Sequence, residues 1–338
     1  MKVLITGGAG YIGSHITLVL LKAGYEVVVL DNLCNSSILS LKRVADIVGR
    51  SPVFINGDIL DRSLLDKLLV KHSVQAVIHC AGLKSVNESI KQPLIYFKNN
   101  VSGTINLCQA MSAAGIFNIV FSSSATVYGE PLKIPIMEDH QVGKTTNPYG
   151  RSKFMVEQVL NDIATLDSRW KVALLRYFNP VGNHESGLIG EDPRGFPNNL
   201  FPYITMVMIG KLRELAIFGN DYQTVDGTGV RDYIHVMDLA NGHLAAINSF
   251  TRFSGINVWN LGTGQGYSVL QIVEAFEKIS GQKVPIRIAP RRLGDVAKSY
   301  ANPSKAIKDL GWRANRDLLT MVRDSWHWQS LNPDGYKI

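Results

Sequence analysis

Three cysteines, Cys34, Cys80 and Cys108, are all that the 338 residues hold. Their spacing matches no metal-ligand pattern, and an odd number gives no disulfide framework. No run of eighteen apolar residues occurs, so the sequence offers no transmembrane helix. Met1-Lys2-Val3-Leu4-Ile5-Thr6 leads straight into glycines, without the apolar core and small-residue cleavage site of a secretory leader. These absences predict a protein of the reducing cytoplasm. A dense Lys/Arg block interleaved with aromatics is missing as well, although the net charge is +7. The basic residues are spread along the chain, which argues against a nucleic-acid partner. Such a surplus suits an enzyme whose ligands are phosphate-bearing anions. Internal repeats, low-complexity tracts and an evident linker are also absent. With 46% hydrophobic and 19% charged residues, the composition is that of a folded globule with one large domain or a main domain and a smaller partner.

What is present begins at the first residues. A short apolar strand over Lys2–Thr6 runs into Gly7-Gly8-Ala9-Gly10-Tyr11-Ile12-Gly13. A helix carrying Ile16, Leu18, Val19, Leu20 and Leu21 follows, then a second apolar run closing on Asp31. Strand, glycine loop, helix, strand and acid make a βαβ unit with a spacing variant of the dinucleotide fingerprint. Gly7, Gly10 and Gly13 let the backbone approach a pyrophosphate, whose charge sits at the positive helix N-terminus. Asp31, eighteen residues after Gly13, is placed to accept hydrogen bonds from a ribose. A carboxylate there repels a 2′-phosphate, and Asn32 rather than Arg follows it. NAD is therefore favoured over NADP.

The alternation continues through strands at Val53–Asn56, Ala76–His79 and 119–122, with helices at Arg62–Lys71 and 93–114 between them. This pattern predicts an α/β fold, a Rossmann-type doubly wound parallel sheet covered on both faces. Ligands on such sheets bind outside the carboxyl ends of the strands. Gly57-Asp58, Ala81-Gly82-Leu83-Lys84 and Ser122-Ser123-Ser124 fall at those ends. Asn147-Pro148 then opens a helix bearing Tyr149 and Lys153, which lie on one helical face. A cation beside a phenol favours the phenolate and makes proton abstraction feasible. Alone, the pair reads more readily as a half-buried aromatic beside a solvated lysine, because such spacings are common by chance. After a strand at 172–178 the chain turns rich in Gly, Pro and Asn. The reading divides it into an NAD-binding domain, 1–179 with 235–262 returning to it, and a C-terminal α/β substrate lobe over 180–338.

Taken together, the chain resembles the extended short-chain dehydrogenase/reductase family, and within it the UDP-hexose 4-epimerases, over essentially its whole length. The markers are the glycine loop, Asp31-Asn32, Ser122 to Gly129, Tyr149 to Lys153, Arg176-Tyr177-Phe178-Asn179, Pro197-Asn198-Asn199-Leu200 and Gly229 to His235. The resemblance implies tightly held NAD, reduced and reoxidised within each turnover. It implies Tyr149 as the base for the sugar 4-hydroxyl, with Lys153 binding the nicotinamide ribose and holding down the Tyr pKa. Ser124 bonds the same hydroxyl and helps relay its proton. For the cofactor it adds Tyr11, Ile12, Asn35, Asp58, Ile59, Ala81, Lys84, Asn99 and Phe178. For the UDP-sugar it gives Asn179, Asn199, Leu200, Arg231, Tyr233, Arg292 and Asp295, with Ala216, Ile217 and Phe218 flanking the uracil. A homodimer through helices around 91–115 and 148–166 is expected too.

Two rival functions fit less well. Sugar-nucleotide dehydratases need an Asp-Glu pair beside the active-site hydroxyl, and here Ala125-Thr126 follows Ser124. A non-catalytic NAD-binding protein has no reason to keep Tyr149, Lys153 and Ser124 together. One position departs from relatives restricted to glucose and galactose: Ser299 stands where they carry a bulky Tyr. The space implies UDP-N-acetylglucosamine and UDP-N-acetylgalactosamine as further substrates, unless the adjacent Tyr300 refills it.

Overall fold

The computed structural model describes residues 1–195, 197, 199–292 and 295–337. Asn198 of the Pro197-Asn198-Asn199-Leu200 run lies outside the described residues. The first half alternates through β1 (Lys2–Thr6), α1 (Tyr11–Lys22), β2 (Glu26–Asp31), α2 (Ile38–Val48), β3 (Val53–Asn56), α3 (Arg62–Lys71) and β4 (Ala76–His79). A helical layer follows, made of α4 (Val86–Lys91), α5 (Pro93–Tyr96), a π-helical turn (Phe97–Ser102) and α6 (Gly103–Ala113). Then come β5 (Asn118–Ser124), a 3-10 turn (Ala125–Tyr128), α7 (Pro148–Leu166) and β6 (Lys171–Tyr177).

Those strands, with β10 (Gly255–Leu261) at one edge, form a seven-stranded sheet among the described residues, ordered β10-β6-β5-β4-β1-β2-β3. Every pairing in it is parallel. Side chains alternate across a strand, so Val3 and Ile5 join one core with Ile16, Leu20 and Val44, while Leu4 joins another with Leu65, Leu107 and Leu160. Both faces are thus covered by helices, as the apolar runs predict. The first of these cores also takes in Leu239 and Ile247 of α9 (Val236–Asn248) and Trp312, from far along the chain.

The remaining elements build a smaller body. β7 (Asn179–Val181), β11 (Gly266–Ser268) and β13 (Lys298–Ser299) gather around β9 (Val230–His235), and β8 (Leu215–Phe218) pairs with β12 (Ile286–Ala289). Phe201 of α8 (Leu200–Met208), Phe276 of α10 (Val269–Ser280) and Met321 of α12 (Leu318–Leu331) pack with Ile217 and Tyr233 in its core. No described helix is long and apolar enough to cross a membrane.

The structure differs from the sequence expectation in three elements. The strand expected over 119–122 continues to Ser124, which places that hydroxyl at the sheet edge rather than in a loop. The helix expected over 93–114 is broken by the π-helical turn and preceded by α4. Helix α2, capped by the Ser37 hydroxyl and ended by left-handed Gly49, was not anticipated.

Candidate active site

The sheet order reverses at β1, whose neighbours are β2 on one side and β4 on the other. The loops leaving β1 and β4 therefore meet at a switch point, where such sheets take ligands. A Cβ on Gly7 would lie 2.7 Å from the Ala81 nitrogen, and one on Gly13 would lie 2.2 Å from the Gly7 carbonyl oxygen. Glycine is required at both positions, and Gly7 also has a φ of +70°. Helix α1 starts there at Gly10 with no side-chain cap and no acidic residue in its first turn. Its free N–H groups and positive end suit a diphosphate.

Asp31 completes the cradle. Its Oδ2 accepts from Ala9 N at 3.0 Å, and its Oδ1 accepts from Leu33 N at 2.9 Å and Ser36 Oγ at 2.8 Å. A carboxylate offers about four acceptor sites, which leaves one for a ribose hydroxyl. Asn32 donates to Asp58 Oδ2 at 2.8 Å, holding the loops after β2 and β3 together beside exposed Asn35. Ile59 is buried against Gly103, and Phe178 is buried at the end of β6. Tyr11 donates its hydroxyl to the Gly182 carbonyl, so this contact position ties the glycine loop to the second body. The donor set, the uncapped helix and the glycine cradle fit NAD.

Asn147 caps α7, its Oδ1 accepting from Gly150 N at 2.9 Å, with Pro148 as the first helical residue. Tyr149 and Lys153 thus sit one turn apart at the start of α7, above the carboxyl edge of β5 and β6. The helix is pinned by a buried ion pair: Arg176 of β6 meets Glu157 through Nε at 3.0 Å and Nη2 at 2.7 Å. Ser123 adds a 2.5 Å bond to the same carboxylate. Burial raises the Tyr149 phenol above its ordinary value, and a hydrogen bond with Ser124 draws it part of the way back.

Lys153 faces the end of the sheet. Its Nζ donates to the Ser122 carbonyl at 2.7 Å and lies 4.8 Å from the Phe121 ring centroid. Burial lowers the ammonium to about 8, with Cys80 and Glu157 nearby opposing the shift. In the protein alone the influences on Tyr149 are its burial and Ser124, because the lysine charge is directed at the sheet.

The substrate side is assembled around β9. Ser299 pairs in register with Arg231, and Asn179 pairs with Tyr233. Burial pushes the Tyr233 phenol up to about 12, and the charges of Arg231 and Arg292 oppose that rise. Arg292 lies over the Phe218 ring at 4.5 Å and bonds Asp295 at 3.1 Å. Ile217 is turned into the core, so of the three residues expected at the uracil it offers backbone only, whereas Ala216 and Phe218 are partly exposed. Asn199, beside Leu200 at the start of α8, donates to Glu191 Oε1 at 2.8 Å, and Lys84 meets the same oxygen at 3.1 Å. One carboxylate therefore bridges a residue expected at the cofactor and one expected at the substrate.

Glu191 was not anticipated, and neither was Asn100. Asn100 accepts from Leu83 N at 2.8 Å and donates to Leu83 O and Ser152 Oγ, each at 3.0 Å. It fastens the loop after β4 to α7. Its neighbour Asn99, the expected cofactor contact, donates to it at 3.0 Å. The only sequence signal was polarity inside a helical run.

Comparison with known proteins adds the chemistry that goes with this geometry. Residues 3–262 match the model of the NAD dependent epimerase/dehydratase family. The chain is 58% identical over 337 residues, covering all of both proteins, to a UDP-glucose 4-epimerase of Pasteurella multocida. It superposes with a TM-score of 0.96 and 50% identity on a UDP-glucose-4-epimerase from Stenotrophomonas maltophila, solved with bound NAD and formylated UDP-arabinopyranose, covering 98% of this chain and 99% of that one. A UDP-glucose 4-epimerase from Bifidobacterium longum in complex with NAD+ and UDP gives a TM-score of 0.97 at 49% identity, over 99% of this chain and 100% of that one.

Proposed function

The chain belongs to the NAD dependent epimerase/dehydratase family and is an NAD-dependent UDP-sugar 4-epimerase, and we propose that Tyr149 is its catalytic base. The observation that carries this reading is the placement of Tyr149 on the capped first turn of α7, one turn before Lys153, above the same strand ends that carry the glycine cradle. NAD, when bound, supplies a carrier that takes hydride from the sugar C4 and gives it back. Tyr149 takes the proton of the 4-hydroxyl and later returns it, so one group serves as base and then as acid. Lys153 carries its charge beside the reacting edge at neutral pH. Arg231 and Arg292, with Asn179 and Asn199, grip the nucleotide diphosphate through charge-assisted bonds. Replacing Tyr149 by Phe lowers turnover of UDP-galactose by about 10²–10⁴-fold while bound NAD is retained. Turnover within threefold of the native protein sinks the assignment.

We propose further that the sugar pocket admits N-acetylated hexoses. On β13, Ser299 shares a face with Arg231, and alternation along the strand turns Tyr300 the other way. The Tyr300 ring packs over Gly266, where a Cβ would lie 3.2 Å from it. This supports Ser299, not Tyr300, as the residue beside the sugar. The names of the curated relatives speak for UDP-glucose, and a small residue admits the larger sugar without excluding the smaller. Ser299→Tyr is expected to abolish UDP-N-acetylglucosamine turnover while sparing UDP-galactose. Unchanged N-acetyl activity in that variant ends the proposal. The partner we propose for the outer face of α4 to α7 is a second copy of the chain.

A further inference from the structure

The segment 188–195 belongs to the smaller body, and its contacts carry it across the end of β1. It is well seated on its own side. Gly190 N donates to the Tyr336 hydroxyl at 3.0 Å, and Tyr336 N donates to Asp192 Oδ2 at 2.9 Å. The Trp328 indole donates to the Glu191 carbonyl at 3.2 Å. From that footing two side chains reach the loops of the large sheet. Glu191, its side chain largely buried, meets Lys84 Nζ of the loop after β4 at 3.1 Å. Arg194 takes the loop after β2: its Nη2 donates to the Ser36 carbonyl at 2.7 Å and its Nη1 to the Cys34 carbonyl at 3.3 Å. Arg43 of α2 adds a bond to the Leu188 carbonyl at 3.0 Å. In the sheet, β1 lies between β2 and β4, so the glycine loop leaving β1 lies between the two anchored loops. The cradle thus has the glycine loop as its floor, a loop on either side, and a strap tied to both.

We propose that Arg194 and Glu191 are the two clasps of this strap, and that the strap sets how long NAD stays in the cradle. The inference rests on the glycine cradle being the NAD site. Epimerisation returns the hydride to the sugar that lost it, so the cofactor has to remain in place for longer than a turnover lasts. Arg194 is suited to that task because it holds backbone: Cys34 and Ser36 flank Asn35, and their carbonyls keep the loop after β2 drawn toward the strap. Glu191 does the same for the opposite loop through the charge of Lys84. Both clasps are charge-assisted hydrogen bonds, the stronger kind. Opening them leaves the glycine loop and Asp31 as they are, so the clasps act on departure more than on seating.

The test times the exchange of labelled NAD, bound to the full-length protein, against an excess of unlabelled NAD. Arg194→Ala and Glu191→Gln are each expected to release the label about tenfold faster than the native protein. Arg194→Lys, which keeps a cation but not the fork that spans two carbonyls, is expected to fall between native and Arg194→Ala. Arg169→Ala is the control: it removes an exposed ion pair with Asp167 at 2.7 Å, between α7 and β6, and is expected to exchange at the native rate. Arg194→Ala is also expected to lose UDP-galactose turnover on gel filtration and to regain it when NAD is added. Native exchange in Arg194→Ala overturns the proposal, and so does equal acceleration in Arg169→Ala. Should Arg194→Ala fail to fold, as its urea midpoint reports, Arg194→Lys and Glu191→Gln decide by the same rates. A native protein that binds no NAD removes the assignment of the cradle itself, whereas one that keeps NAD equally well without Arg194 removes only the strap.

Discussion

Lys153 is the residue at which chemistry and burial pull hardest against each other. Its ammonium is buried and lowered to about 8, so it is charged at pH 7 and loses its proton over the following two pH units. The proposed role of that charge is to favour the Tyr149 phenolate once substrate is in place. Turnover of UDP-galactose is therefore expected to fall as pH rises through about 8 in the native enzyme. Lys153→Met is expected to lose about tenfold or more at pH 7 and to show no break in that region. A break near pH 8 surviving in Lys153→Met shows that another group causes it. The residues whose roles could be read in the sequence are those whose neighbours are close in the chain. Gly7, Gly13 and Asp31 belong to one βαβ unit, and Tyr149 and Lys153 to one helical turn. Where the Lys153 ammonium points was not legible, because Ser122 reaches it only through the packing of α7 on the sheet.

At the scale of elements, α4, α5, α6 and α7 form one helical layer that keeps apolar side chains in solvent. Leu94 is 79% exposed, Ile90 54%, Ile95 52% and Leu166 90%. Met155 and Leu166 lie three turns apart on one face of α7. Single exposed apolar residues are ordinary, but a helical layer presenting this many fits a surface buried in an assembly. The native protein is expected to sediment as a dimer, and Leu94→Glu to shift it toward monomer. A native protein that is monomeric at micromolar concentration removes the proposal. The helices themselves were mostly visible in the sequence. Strong 3.6-residue periodicity and caps such as Asn147 gave α1, α3, α7 and α9 nearly their observed bounds. The π-helical turn was not visible, because the extra residue per turn leaves Asn100 in a run that otherwise reads as ordinary helix. Helix α2 had its signals in place, Ser37 before it and Gly49 after it, but its apolar stripe is short.

For the molecule as a whole, acid is the natural weakness. Three histidines are buried neutral in or against the main sheet: His15, lowered to about 3, His79, lowered to about 3, and His243, lowered to about 4. Burial is the leading cause in each. His79 is bonded on both ring nitrogens, to Thr6 at 2.7 Å and Thr104 at 2.8 Å, and has no use for a second proton. The unfolded chain binds protons at these sites from pH 6.5 downward and the folded chain does not. Their stability contribution is therefore full above pH 6.5 and is lost as pH falls toward the folded values. At pH 5 the loss is roughly 2 kcal/mol per histidine. The urea midpoint is expected to fall steeply between pH 7 and 5, and His243→Gln to flatten that fall. A midpoint independent of pH in this range contradicts the assignment of these rings as neutral. None of this was legible beforehand, since a histidine in a sequence gives no sign of the depth at which it will lie.

The edge strand β10 has a consequence in time. A chain emerging from the ribosome has six of the sheet's seven strands once residue 177 is out, and the seventh arrives only with residues 255–261. Helix α9, whose Leu239 and Ile247 share the core of α1, comes late as well, and so does Trp312, whose indole donates to the Asp238 carbonyl at 2.8 Å. Between these arrivals the entire run from β7 to β9 must be made and set aside. Contacts this distant in sequence are slow to close. The nucleotide-binding sheet is the first part of the molecule to be begun and among the last to be finished.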